Sequence, residues 1–546
     1  MSSSLINIAS TGLNAAQSAL NTVSNNISNV YVAGYNRQTM QLAELVGSSI
    51  SGSGVSVTGV SRAYDSLVVN QLRSASTTYA ATNAYYGQVS QIDSLLADSD
   101  TDLSTQLSTF FTSIQSLSSA AGDSAARQTV IDSASSLVSQ FQSADNYLND
   151  MDDSINQQLS SSADQINGYT KQIANLNDQI VRLGSGDASN ALLDQRDQLV
   201  SELNDIVGVT VSVQDNNSVN LTFANGLTLV QGSSSYQVTA VSSSADPSRT
   251  VLAYDRGTGT PNEIADSTLT TGSVGGLLTF RSGTLDDARN QLGQIALAFA
   301  GSFNTQHAQG VDLDGDAGTD FFSYSNPTVS TNTKNSGDAT LSVTYADTSA
   351  VKASDYNVKY ANGSWQVTRA SDGASIDYDS ATDGAGTTTL TFDGLSVDIS
   401  GTPAANDKYT INTVGNVISS LAVAITDPAK IAAGQDGDDS GESDNRNAEA
   451  LLALQTTKVV GGSATLSTAY SSLVSNIGTK TANAEVSTTA QSNIVDQITT
   501  KQQSLSGVNL DEEYIDLTRY QQYYQANAKV LTAAGDVFDS LLSAIN

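Results

Sequence analysis

Ile6-Asn-Ile-Ala-Ser-Thr-Gly-Leu-Asn-Ala-Ala-Gln-Ser-Ala-Leu-Asn-Thr-Val-Ser-Asn-Asn-Ile-Ser-Asn-Val30 is the stretch that decides the architecture. Its apolar positions Ile6, Ala9, Leu13, Ala16, Leu20, Val23, Ile27 and Val30 follow one another at alternating steps of three and four. That spacing makes one narrow seam along a helix, the pattern of a helix that packs on another helix. The far end repeats it: Leu517, Tyr520, Tyr524, Asn527, Leu531, Ala534, Phe538, Leu541 and Ile545, with only Asn527 interrupting the apolar run. The other faces of both segments are largely Ser, Asn, Gln and Ala. Neither end can bury its stripe alone, so each requires a partner helix. The partner is either the opposite end of the same chain or a neighbouring subunit, and periodicity does not distinguish them.

Inside the ends lies more helix. Residues 103–117 and 130–151 have a helical pattern, and Ile155, Leu159, Ile166, Ile173, Ile180 and Leu183 keep the three-four alternation. Arg182 followed by Gly184 reads as a helix stop. A further helix begins near Ser189, and Leu466, Tyr470, Leu473, Ile477 and Ala484 mark a long return helix. Strands occupy two regions. Val209–Val213 and Val219–Phe223 precede a tight turn at Asn225-Gly226. Between about 327 and 413, Asn362-Gly363 and Asp393-Gly394 each separate two strand-like runs. Gln435 to Asn445 reads as an exposed acidic loop.

The expected fold is mainly α with β insertions, elongated and multidomain. The N- and C-terminal helices pair as a coiled coil, and a helical central domain carries an all-β outer domain. The expected divisions are 1–62 plus 500–546 for the terminal assembly domain, 63–324 plus 416–499 for the central domain with β-hairpins near 209–254, and 325–415 for the β insertion.

The composition excludes several functions. The 546 residues carry a formal net charge of −32, which disfavours nucleic-acid and anionic-membrane partners. Charged residues are 14% of the chain against ~25% in ordinary domains, so Ser, Thr, Asn and Gln must cover much of the surface. There is no cysteine, hence no disulfide or thiolate chemistry. The apolar runs, such as Ile295–Ala300, fall far short of the ~18 residues that a membrane span needs. No Lys or Arg precedes Arg37, so no signal-peptide n-region is expected.

Chemistry finds little support. Gly52-x-Gly54, Gly184-x-Gly186, Gly257-x-Gly259 and Gly384-x-Gly386 lack the third glycine of a dinucleotide fingerprint and read as turns. Asp312-Leu-Asp314-Gly-Asp316 starts like a calcium loop, but Ala317 stands where the sharp-turn glycine belongs and Ser323 where the bidentate glutamate belongs. An Asp/Gly turn is expected there. His307 is the single histidine, and nothing in the sequence marks the oriented nucleophile and oxyanion hole that would make it a catalytic base. Asp511-Glu512-Glu513 reads as acidic decoration of a helix N-terminal turn. No catalytic, cofactor or metal residue is expected.

The termini also resemble a known family. Ile8–Gln17, Val23–Asn29 and Gly34-Tyr35-x-Arg37 resemble the N-terminal stretch of flagellar rod, hook and hook-associated proteins. The wider family commonly has Asn-Thr-Pro before that Gly-Tyr, where this chain has Tyr31-Val-Ala33. Gly507–Gln521 and Tyr524–Val530 closely resemble the end of the hook-associated protein 1 family, and Phe280-Arg281 and Phe303–His307 are similar to its middle. The resemblance implies a structural, non-enzymatic protein of the extracellular flagellum, forming a homo-oligomeric ring at the hook–filament junction. Its implied partners are copies of itself, the hook protein, a second junction protein beside the filament and a cytoplasmic export chaperone at the C-terminal helix. It further implies export through the flagellar type III apparatus without a cleaved signal. The assembly interface expected from the seams is Leu13, Leu20, Val23, Ile27, Leu517, Tyr520, Tyr524, Leu531, Phe538 and Leu541. Alternatives are the hook protein itself, a calcium-dependent surface adhesin using the β insertion, and a hydrolase using His307.

Overall fold

The computed structural model describes residues 2–45, 54–97, 103–184, 187–257, 259–384, 386–437 and 441–545. Gly52 and Gly186 of the glycine pairs, and 438–440 of the acidic loop, lie outside these. The terminal helices are α1 (Ser2–Ser28) and, as the last element, α11 (Leu510–Ile545). Between them the chain passes through a helical body and a β sandwich.

α1 leads into an antiparallel hairpin of β1 (Gln38–Glu44) and β2 (Val55–Arg62) that packs on α1. The sequence reading placed only helix in this region, because the hairpin's residues are mostly exposed or half-buried and show no clean alternation. The body then begins with α2 (Ser66–Ala97), α3 (Leu103–Ser119), α4 (Ser124–Leu183) and α5 (Asp187–Ile206). α4 unites the two helical patterns at 130–151 and 155–183 in one rod of 60 residues, about 90 Å at 1.5 Å per residue. Asp123 caps its start by accepting the Ala125 N–H, and Gly184, at φ 69°, ends it. Buried side chains recur along its whole length, from Val130 to Ile180, so tertiary contact supports every turn.

Two small antiparallel sheets pack on α4. β3 (Thr210–Val213), β4 (Val219–Phe223), β5 (Leu227–Gln231) and β6 (Ser234–Ser235) form one, with the expected turn at Asn225-Gly226, both at positive φ. β7 (Gln237–Ser242), β8 (Thr250–Asp255) and β9 (Asn262–Glu263) form the other. α6 (Gly272–Phe280) runs through a π-helical turn at Arg281–Leu285 into α7 (Asp286–His307). Phe110 of α3 meets Phe299 and Phe303 of α7 edge-on at 5.3 and 5.4 Å, and Phe321 and Phe322 complete this aromatic centre.

After the short β10 (Phe322–Ser323) the chain enters the sandwich. Its strands are β11 (Thr328–Thr331), β12 (Thr340–Tyr345), β13 (Tyr356–Ala361), β14 (Ser364–Arg369), β15 (Ser375–Ile376), β16 (Asp379–Thr382), β17 (Thr388–Phe392), β18 (Leu395–Ser400) and β19 (Lys408–Asn412). One sheet runs β11-β19-β13-β14-β15 and the other β12-β18-β17-β16. Tyr356, Val358, Val367, Tyr409 and Ile411 of the first bury against Leu390, Leu395, Val397 and Ile399 of the second. Both expected hairpins form, with Asn362-Gly363 and Asp393-Gly394 in the left-handed region that such turns require. β11 pairs with β19, so the chain enters and leaves the sandwich side by side.

The return path is α8 (Val417–Ser420), β20 (Ala422–Val423) paired with β10, α9 (Arg446–Ala453) and α10 (Leu466–Ser506). α10 lies antiparallel on α2: Asp93 approaches Gly478, while Leu72 lies with Gln502 and Ser506. It runs unbroken past residue 500 to Ser506 before the turn into α11.

Candidate assembly surface

α1 and α11 pack antiparallel within the chain. A Cβ on Gly12 would stand 2.6 Å from Asn527 Oδ1, and Asn26 bonds Glu513. Asn527, the polar break in the C-terminal stripe, therefore sits over the one position in the facing helix with no side chain. Its amide also donates to Tyr523 O at 2.9 Å. The buried line comprises Ala9, Ala16 and Val23 with their neighbours Ala15 and Ala19 on α1, facing Glu513 and Ala534 on α11.

Of the expected interface residues, Val23 is buried, and Leu13, Leu20, Ile27, Leu517, Tyr520 and Tyr524 are half-buried along the two helices. Leu531 and Phe538 are 36% and 47% exposed. The chain's own helix pair does not cover them, for a geometric reason. The register that sets 12 against 527 and 26 against 513 places 538 opposite the very start of α1, whereas 531 falls opposite residue 8 but to one side of the line through Asn527 and the buried Ala534. Leu541 lies in α11, but its side chain is outside the described residues.

The sequence reading missed the knot that ties this helix pair to the body. Asn26 is buried and fully satisfied. Its Nδ2 donates to Gln38 O at 2.9 Å and Glu513 Oε2 at 3.0 Å, and its Oδ1 accepts from Gln38 N at 2.9 Å and Tyr35 Oη at 2.7 Å. Arg37 reaches Glu513 at 2.7 Å, Glu512 at 2.9 Å and Asp516 at 3.4 Å, while its backbone N–H donates to Ser506 O. The acidic turn of α11 thus complements the helix dipole and also holds the first arginine of the chain. Burial, then the nearby Asp194 and Glu513 carboxylates, pushes the Tyr35 phenol up to about 12, so its hydroxyl stays a donor at any working pH.

A second layer joins the hairpin to α5. Asp194 accepts Asn36 N and Nδ2 and an Arg62 N–H at 2.9 Å, and Arg62 also pairs with Asp197 at 2.8 Å. Burial raises the Asp194 carboxyl despite these donors. Arg37 and the acidic triple were visible as charges in the sequence, but pairing them needs knowledge that residues 37 and 513 adjoin.

The two chemical candidates resolve differently. Lys430 Nζ sits among the carboxylates of Asp312, Asp314 and Asp316 at 2.9, 2.9 and 3.0 Å. A side-chain ammonium thus stands where three carboxylates converge, and Asp312 Oδ1 also accepts the N–H groups of Asp314 and Asp316. Burial opposes ionisation of Asp312, but Lys430 and those N–H groups outweigh it and hold the carboxyl below its usual range. His307 is fully buried. Its Nδ1 lies 2.7 Å from Thr319 O and its Nε2 accepts the Ala432 N–H at 2.8 Å, which sets the neutral Nδ1–H tautomer. Both nitrogens are spent on backbone, leaving none for proton transfer to a substrate.

Exposed apolar side chains are concentrated at the ends. Thirteen of the twenty large hydrophobic residues exposed among the described residues lie in 1–62 and 500–546, about a fifth of the chain. On α11, Tyr523, Val530 and Val537 recur every seven residues on one flank of the seam, and Leu531 and Phe538 lie on the other. Such patches mark interaction surfaces.

Family models match residues 89–322 (flagellar hook-associated protein FlgK helical domain), 330–413 (flagellar hook-associated protein 1, D2-like domain), 6–36 (flagella basal body rod protein) and 501–544 (flagellar basal body rod FlgEFG protein C-terminal). The chain is 53% identical to flagellar hook-associated protein 1 of Escherichia coli K12, over 99% of this chain and all of that one. It is 51% identical to that of Salmonella typhimurium, with the same coverage, and 23% identical to that of Bacillus subtilis, over 97% of this chain and 96% of that one. The solved structure of the flagellar hook junction protein FlgK from Burkholderia pseudomallei superposes with a TM-score of 0.75 at 28% identity, covering 80% of this chain and all of that one. The chain belongs to the flagellar hook-associated protein 1 family.

Proposed function

We propose that this chain assembles through its terminal helices into the ring that joins the flagellar hook to the filament, and that filament growth depends on that ring. The observation that carries the reading is the concentration of exposed apolar side chains on a helix pair whose buried line is already satisfied within the chain. Family membership and the name of the Burkholderia relative support it. In this reading 1–62 plus 500–546 is the assembly unit, whose helices pack as a coiled coil. The segments 63–324 plus 416–499 are the body, and 325–415 is an outer sandwich. Leu531 and Phe538 face a neighbouring subunit, with Leu13, Leu20, Val23, Ile27, Leu517, Tyr520 and Tyr524 supporting the same surface, and Leu541 belongs to the same stripe by its place in the sequence. The partners are other copies of the chain, the hook protein, a second junction protein and a chaperone that holds the C-terminal helix before type III export. The role is structural and requires no catalysis.

Phe538→Asp tests it. The side chain is already half outside the chain's own fold, so the free protein keeps its body. In the ring the carboxylate must be desolvated and the ring packing is lost, a cost on the order of 3–5 kcal/mol per interface. Hooks without filaments under the electron microscope, with export of the variant verified separately, are the expected result. Full-length filaments built on exported Phe538→Asp protein would refute the assembly reading.

A further inference from the structure

The β insertion meets the helical body along α7. Two glycines on that helix admit it closely: Val414 O lies 2.8 Å from the place of a Cβ on Gly293, and the Thr348 side chain occupies that place on Gly301. Gln294 Nε2 donates to Val351 O at 2.6 Å, and Lys352 Nζ to Gly461 O at 3.2 Å. Beside this seat is a cavity of about 420 Å³ whose walls come from the body, the β7–β9 sheet and the insertion.

Its lining is charged. Arg249 pairs with Asp286 and, at 3.6 Å, with Asp246; Arg281 pairs with Asp266 at 2.9 Å. Arg289 reaches Asp152 only at 3.9 Å, and one Asp152 oxygen is buried without a hydrogen-bond partner. Asp153 lies on the same wall. From the insertion side the facing acid is Asp355, and among the described residues no Lys or Arg nitrogen stands within 4.0 Å of it. Asp355 accepts the Thr413 N–H at 3.1 Å, just past the end of β19, and lines the cavity together with Asp286 and Asn290 of α7. One carboxyl group therefore holds the chain as it leaves the sandwich and shares a cavity with the helix on which the sandwich sits.

We propose that this cavity is an electrostatic joint that seats the outer sandwich more firmly on the body as the surroundings acidify. Burial, reinforced by the Asp286 charge, pushes the Asp355 carboxyl up to about 6, although the Thr413 N–H, Arg249 and Asn290 pull the other way. Burial likewise raises Asp152, with Arg249 and Arg289 opposing it. A group whose affinity for protons is higher in the closed seat than in water favours the closed seat when protons are abundant. Above the midpoint the ionised Asp355 faces Asp286 with no cation of its own, and the seat loosens. The joint fixes how the sandwich is held relative to the body, which neither the ring-forming helices nor the sandwich core controls.

Because the chain has no cysteine, two can be introduced cleanly for spin labels, at exposed Thr382 in β16 and exposed Ser161 on α4. The inter-label distance distribution of the full chain is measured at fixed ionic strength from pH 7.5 to 5. The expected result is a narrowing with a midpoint near 6. Asp355→Asn, which keeps an acceptor for Thr413, should give the narrow distribution throughout. A distribution that does not change with pH in the labelled parent overturns the proposal without recourse to any further variant. An Asp355→Asn protein that still narrows with the parent's amplitude also overturns it.

Discussion

His307 offers the sharpest test of the physical reading, because its environment prescribes a sign, a size and a pH window. Burial drives its imidazole down to about 4, against the help of the Thr319 carbonyl and the Asp320 and Asp312 charges. The unfolded chain has the ordinary value near 6.5. Between those values the unfolded state binds a proton that the folded state refuses. The stability His307 contributes is therefore complete above about 6.5 and is lost as pH falls through about 4. At ~1.36 kcal/mol per pH unit, the gap amounts to roughly 3 kcal/mol. His307→Gln keeps one of the two backbone bonds and removes the titration, so it should cost about 1–3 kcal/mol at pH 7. The difference from the parent should move by roughly 3 kcal/mol in the variant's favour on going to pH 4, which abolishes or reverses the deficit, since every carboxylate is common to both proteins. Urea denaturation at pH 7, 5.5 and 4 gives that difference. Nuclear magnetic resonance of ¹³C-labelled histidine gives the titration itself, with a single histidine and hence a single ring to follow. A folded-state titration near 6.5, or a pH-independent difference between the two proteins, would refute the assignment of His307 as a buried, neutral backbone clamp.

Asn26→Asp replaces the two donors facing Gln38 O and Glu513 Oε2 with oxygen. The resulting carboxylate pair must take up a proton, at roughly 4 kcal/mol at pH 7 and less than half of that at pH 5. Motility and filament growth should therefore be lost more severely at pH 7 than at pH 5, whereas Asn26→Ala should show a pH-independent defect. Adding millimolar calcium, or a chelator, should leave the melting temperature of the parent unchanged, because the Lys430 ammonium already occupies the point where the Asp312, Asp314 and Asp316 carboxylates converge; a rise of several degrees in a thermal scan would contradict this. Replacing residues 327–413 with a short Gly/Ser linker should leave a body that still unfolds cooperatively by circular dichroism, since β11 and β19 pair where the chain enters and leaves; a body that melts without cooperativity would show that the sandwich is part of its core.

Local chemistry was legible in the sequence wherever it was self-contained. The three-four seams announce two helices that must be partnered, Gly184 announces the end of α4, and Asn225-Gly226, Asn362-Gly363 and Asp393-Gly394 announce three hairpins. Each of these signals lies within a few residues of the structure it dictates. α2 escaped because its buried face is built partly from Arg73, Ala75 and Thr77 rather than large apolar side chains, so its period is faint. The β1–β2 hairpin escaped because most of its residues stay half in water. Everything that joins the parts needed the fold. Asn26 reads as one more amide in a polar stretch until Glu513, 487 positions away, closes on it. Lys430 gains meaning only from an aspartate loop 114 residues earlier, and Asp355 only from the helix it leans on. The sequence by itself determined the strongly periodic helices, the three tight hairpin turns and that the ends must find partners, because backbone propensity and periodicity act over short separations. Only the tertiary structure decided that α1 and α11 pair within one chain, and that Leu531 and Phe538 are left over, because register between distant segments is set by packing and ion pairing that no local pattern encodes.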